Sequence, residues 1–164
     1  TIAGSVEVSF FHLVKNERTR QMELPFTIEP DATARLCTLD EWGQIRKEQI
    51  VCVRVWDKRR TLLAETIQPL DIERRLPYPQ QVGLSMIASA DTDTLLLRCE
   101  RYAHCVSLYG DGFDSLFDDN FFDLLPGETK CIRVLPSPSS GVIYAATAYD
   151  QTVVSCQWKK EKEK

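Results

Sequence analysis

FDDNFFDLLPGETKCIRVL, running from Phe117 to Leu135, packs an acidic cluster, an Asn, an apolar burst, a Pro-Gly pair and an alternating run into one short stretch. Leu124 to Glu128, LLPGE, has the chemistry of a type II turn, with Pro126 pre-setting φ at the second position and Gly127 supplying positive φ at the third. The turn feeds a strand in which Ile132 and Val134 alternate with Cys131, Arg133 and Leu135. Before it, Asp118, Asp119 and Asn120 carry short side chains that hydrogen-bond nearby backbone amides. They are expected to set a turn after Phe117, with Phe121 and Phe122 anchoring that turn in the core.

Working outward, period-two alternation recurs along the chain and sustained helical periodicity does not. Val6, Val8 and Phe10 alternate with Ser5, Glu7 and Ser9, and Leu24, Phe26 and Ile28 with Glu23, Thr27 and Glu29. Both read as half-buried antiparallel strands. Lys15 to Gln21 (KNERTRQ) reads as the hairpin connection between them, Glu29 to Thr33 (EPDAT) as a turn, and Ala34 to Leu39 as a further short strand. Asp40 to Gln49 is the best helical candidate, shortened by Gly43 to a single turn or a loop. Ile50 to Trp56 (IVCVRVW) has the composition of a central strand covered on both faces, and Thr61 to Leu70 pairs back after the turn DKRR.

RLPYPQQ (Arg75 to Gln81) carries two prolines that cannot donate to a ladder, and it marks a boundary. Strands are then expected at Val82–Ala88, Thr94–Cys99, Cys105–Tyr109, Lys130–Leu135, Val142–Tyr149 and Thr152–Trp158. The resulting expectation is an all-β chain of immunoglobulin-like antiparallel β-sandwiches, two in tandem: residues 1–76, residues 77–158, and a charged tail at 159–164. The first segment offers about five strands against the seven of a complete immunoglobulin-like sandwich, so an incomplete sandwich or a homodimer through its unpaired edge is expected.

Composition narrows the function classes. The chain has 164 residues, 43% hydrophobic and 27% charged, an ordinary globular balance. A net charge of −4 offers no basic surface to a phosphate backbone, so nucleic acid is not an expected partner. No apolar run is long enough to cross a bilayer as a helix, and a membrane is not expected either. The first residue is Thr1 rather than Met, which leads us to expect a piece of a longer protein. Cys37, Cys52, Cys99, Cys105, Cys131 and Cys156 form no CxxC pair and read mainly as small buried hydrophobes, with a disulfide or two left open.

Several constellations contain residue types suited to chemistry. Asp118, Asp119, Asp123 and Glu128 are close enough in sequence for a glycosidase carboxylate pair, but turn chemistry favours a structural corner. Asp111, Asp114, Asp118 and Asp119 could form an oxygen-rich calcium loop. His12 and His104 are the two histidines; His104 beside Cys105 and near Cys99 fits no zinc spacing. Among the aromatics Trp42, beside Gly43, is the freest candidate for a carbohydrate contact, whereas Trp56 ends a buried strand. No catalytic residue, metal ligand set or cofactor is assigned.

FDDNFFDLLPGETKCIRV resembles the pattern F-S-D-N-F-F-D-L-L-P-G-E found near the C-terminus of β-mannosidase-type enzymes of glycoside hydrolase family 2, with Asp118 where that pattern has Ser. Leu62–Gln80 and Arg98–Gly112 are similar to the segments that precede it, and the resemblance covers most of residues 60–135. The resemblance implies a large parent enzyme whose two catalytic glutamates lie in a (β/α)₈ barrel, which this strand-rich chain is too short to form. The expected role is a non-catalytic accessory region packing on the remainder of the hydrolase. A carbohydrate-binding module with weak sugar affinity and an adhesion or assembly module of immunoglobulin type stay open, because one fold serves all three.

Overall fold

The computed structural model describes residues 1–38, 47–89, 92–111, 116–135, 139–150 and 152–159. The chain divides into two compact units, Thr1–Pro77 and Tyr78–Lys164.

In the first unit, β1 (Ile2–His12), β2 (Glu17–Ile28), β3 (Gln49–Asp57) and β4 (Leu62–Pro69) form one antiparallel sheet in the order β2-β1-β3-β4. Val6, Val8 and Phe10 of β1 lie opposite Val55, Val53 and Val51 of β3, which gathers one apolar face. Cys37, Leu24 and Leu70 pack against that face. The other parity pairs Glu7 with Arg54 and Ser9 with Cys52, and Arg54 Nε reaches Glu65 Oε2 at 2.6 Å.

Three expectations change here. The β1–β2 connection is only Leu13–Asn16, so most of KNERTRQ belongs to the edge strand β2. Backbone pairing to β1 asks nothing of those side chains, which stay in water. Residues 34–38 form no strand; Cys37 instead lies over the apolar face of the sheet. Ile50–Cys52 are buried as a central strand should be, but Val53–Asp57 are half-buried. The helical candidate lies mostly outside the described residues, and Gln49 already belongs to β3.

Gly4 is required where β1 meets β3, because a Cβ there would sit 1.9 Å from the Trp56 carbonyl oxygen. A Gly4→Ala variant should therefore lose the upper β1–β3 register. Hydrogen exchange should report faster opening of amides near Trp56 while amides of the second unit keep their protection.

The second unit has two sheets. One takes β5 (Ser85–Ser89), β6 (Thr94–Arg98), β8 (Leu116–Phe117) and β10 (Thr129–Leu135) in the order β5-β6-β10-β8. The other takes β7 (Ala103–Asp111), β9 (Phe122–Leu124), β11 (Ser140–Ala146) and β12 (Val154–Lys159) in the order β12-β11-β7-β9. Leu95, Leu97, Ile132 and Val134 from the first meet Val106, Phe122, Leu124, Ile143, Ala145 and Trp158 from the second in one core. This is an immunoglobulin-like sandwich in which β5, β6, β7 and β10, β11, β12 stand as strands A, B, C and E, F, G. The stretch in the place of strand D is split, with β8 in one sheet and β9 in the other.

Neither short strand was visible to periodicity, because two or three residues cannot display alternation. All six cysteines are free. Cys52 and Cys99 are buried, whereas Cys131 is exposed, since in β10 the inward positions belong to Ile132 and Val134. Leu97→Ala or Ile132→Ala should cost about 2–5 kcal/mol in urea unfolding of the second unit, as fully buried large-to-small changes do.

Candidate functional site

Asp118 to Phe121 is the corner at which the chain leaves one sheet for the other. On the β10 side, the Asp118 N–H donates to the Arg133 carbonyl at 3.1 Å. Its Oδ1 accepts the Arg133 N–H at 2.7 Å, and its Oδ2 lies 3.1 Å from Arg133 Nε. On the β7 side, Asn120 Oδ1 accepts the Leu108 N–H at 2.8 Å and Nδ2 donates to the Leu108 carbonyl at 3.0 Å. A primary amide presents the same donor and acceptor as a peptide, so Asn120 continues the ladder of β7 with its side chain. Asp119 Oδ2 meets Lys130 Nζ at 2.6 Å, and that ammonium sits 4.6 Å from the centroid of the Phe122 ring.

Phe121 does not anchor the core. It is 70% exposed at φ 59°, while Phe122 is buried. Adjacent residues entering a strand face opposite ways, so seating Phe122 inward turns Phe121 out. Phe117 packs against the core from β8. The type II turn is present: the Glu128 N–H donates to the Leu125 carbonyl at 3.2 Å and Gly127 has φ 77°.

Asp123, on the far side of the corner, serves β7. Its Oδ1 accepts the Cys105 N–H at 2.9 Å and lies 2.8 Å from His104 Nδ1. The Tyr102 hydroxyl is 3.3 Å from the same nitrogen. Cys105 has φ 51°, in an irregularity of the β7–β9 register between Ala103 and Val106. His104 is stacked with Tyr78 at 5.0 Å and with Tyr149 at 5.9 Å, and Tyr78 with Tyr149 at 4.4 Å and 7°. This aromatic cluster around a His–Asp pair escaped sequence reading, because Tyr78, His104, Asp123 and Tyr149 come from four separate segments with no local pattern.

The acidic motif is thus divided between strands: Asp118 and Asp119 face β10, and Asp123 faces β7. Asp111 is exposed at the end of β7, and Asp114 and Trp42 lie outside the described residues. Among the described residues no group of three or more His, Cys, Asp or Glu could hold a metal ion. Burial pushes the Cys99 thiol up to about 12, which keeps it unreactive at neutral pH. His12 is buried with Nε2 3.4 Å from Glu48 Oε2. Trp56 is half-buried, with the Arg60 guanidinium 5.2 Å from its ring centroid.

Two predictions follow from this geometry. Asn120→Ala leaves both polar groups of Leu108 without their partner and should destabilise the second unit by about 1–3 kcal/mol. Asn120→Asp keeps the acceptor but not the donor, and chemical denaturation should place it between wild type and the alanine variant. For Asp123, burial pushes the carboxyl up, but the hydrogen bonds from His104, the Cys105 N–H and Tyr102, with the His104 charge, outweigh it and hold it below the ordinary 3.8. Its contribution is therefore complete above that ordinary value and is lost as pH falls through the lower folded value. A pH series of unfolding midpoints should show an acid limb that flattens in Asp123→Asn.

Residues 78–147 match the family model Ig_mannosidase, an Ig-fold domain. Among solved structures, the exo-chitosanase CsxA of Amycolatopsis orientalis is similar with a TM-score of 0.57 and 10% identity, over 94% of this chain and 24% of that one. The β-D-mannosidase of Dictyoglomus thermophilum is similar with a TM-score of 0.61 and 16% identity, over 93% of this chain and 19% of that one. At such identities the likeness is one of fold, and the chain spans a quarter or less of those proteins. No curated protein sequence matches the chain. The resemblance read from FDDNFFDLLPGE and the match to the Ig_mannosidase model fall on the same unit, whose fold is immunoglobulin-like.

Proposed function

We propose that this chain is a non-catalytic accessory region of a β-mannosidase-like glycoside hydrolase of family 2, packing on the remainder of that enzyme and stabilising it. The observation that carries the reading is the corner at Asp118–Phe121, in the unit that matches Ig_mannosidase. Asp118, Asp119 and Asp123 of the motif are committed to the Arg133 amide, to Lys130 and to the Cys105 amide. A retaining or inverting glycosidase needs two carboxyls facing a shared space for substrate, and carboxylates tied to strands and lysine do not offer one.

Two measurements test it. The reading frame that encodes this chain should also encode a (β/α)₈ barrel with paired glutamates, and a frame confined to these residues would refute the proposal. The 164-residue chain should release no aryl leaving group from aryl β-mannosides or aryl β-glucosaminides; turnover by the purified chain would equally refute it.

A second reading, a carbohydrate-binding module, is favoured by the Tyr78–His104–Tyr149 stack, in which Tyr149 keeps an exposed surface. Titration with manno- and gluco-oligosaccharides should then perturb the Tyr149 ring resonances, and Tyr149→Ala should abolish the response. Unchanged spectra at millimolar sugar would exclude it.

A further inference from the structure

We infer that the outer face of the β5-β6-β10-β8 sheet is the surface by which the second unit docks on another part of its own polypeptide, and that the surface it meets is apolar and carries a carboxylate opposite Arg98. This rests on the accessory-region reading above and names the contact that reading requires.

The register places the face together. Ile87 of β5 lies opposite Leu96 of β6, Leu96 lies opposite Cys131 of β10, and Leu135 of β10 lies opposite Leu116 of β8. Their sequence neighbours Leu95, Leu97, Ile132 and Val134 fill the core, so these side chains point the other way, into water. Ile87 is 67% exposed, Leu96 39%, Leu135 49% and Leu116 75%. Single exposed aliphatics are ordinary, but Ile87, Leu96 and Cys131 in one row across β5, β6 and β10, with Leu135 and Leu116 in a second row across β10 and β8, group exposed apolar side chains on one face, as protein-contact surfaces do. Among the described residues no aromatic ring lies in these two rows, so they offer a sugar no stacking platform.

Charge selects the occupant. The two rows are separated by Arg133, whose guanidinium is held by Asp118, and bordered by Arg98, which is exposed and pairs with no carboxylate among the described residues. Two copies of the chain laid face to face would bring two Arg98 side chains into one interface with no carboxylate for either, since Asp118 is already engaged by Arg133. Like charges brought together in this way disfavour association. An apolar surface with a facing carboxylate satisfies both the apolar rows and Arg98.

Cys131, the one exposed cysteine of the six, lies within the first row and reports on the face directly. Alkylation of Cys131 by iodoacetamide, followed by mass spectrometry of its peptide, should be at least roughly tenfold slower in the complete polypeptide than in the 164-residue chain, as for a thiol closed off by packing. Arg98→Glu, placed at an exposed position that the core does not use, should speed the reaction in the complete polypeptide and leave it unchanged in the shorter chain. Equal rates in the two wild-type proteins would overturn the docking face while leaving the accessory role standing. Concentration-dependent protection in the 164-residue chain, with a dimer in sedimentation, would overturn it in favour of a second copy. A reading frame with no further chain removes the accessory role itself, and is seen without any alkylation.

Discussion

The second unit depends on how a chain can cross between two sheets without abandoning its hydrogen bonds. The paired contacts of the Asn120 amide with the N–H and carbonyl of Leu108 are that solution on one side. The Asp118 carboxylate and amide, bonded to the Arg133 backbone, are the solution on the other. Unmet backbone groups in a half-buried corner would cost about 1–3 kcal/mol each, a large share of what a small domain has to spare. With the corner set, Phe122 and Leu124 drop into the core and the Pro126-Gly127 turn delivers β10 to the opposite sheet.

The same constraint explains why an acidic, aromatic motif holds structure rather than chemistry. Each carboxylate sits where a strand needs an acceptor: Asp118 against β10, Asp123 against the irregular stretch of β7 at Cys105. Asp123 also orients His104, around which Tyr78 and Tyr149 stack, so connector, strand and hairpin turn are joined at one end of the unit. Phe121 follows as a by-product of the crossing, turned outward because its neighbour is turned in.

Much of this was legible from residue pattern. Alternation located the long strands because each has one face in a core and one in water, and the Leu124–Glu128 turn could be read from Pro and Gly chemistry alone. Strand ends were less legible: β2 extends through the polar Glu17–Gln21, where an edge strand pairs by backbone whatever its side chains. The short strands β8 and β9 left no periodic trace, and residues 34–38 looked like a strand but form none, with Cys37 packed on the apolar face of the sheet instead.

By itself the sequence determined the all-β class, the order of the long strands, the turn at Pro126-Gly127 and the family resemblance, because each is encoded within a few consecutive residues. Tertiary structure alone decided which partner each polar side chain of the corner serves, that Phe121 is exposed, that His104 meets Asp123 and two tyrosines, and that Ile87, Leu96, Cys131, Leu135 and Leu116 share one outer face. Those outcomes depend on strand register and on which sheet each strand joins. Both are set by packing between residues far apart in the chain, and no local pattern records them.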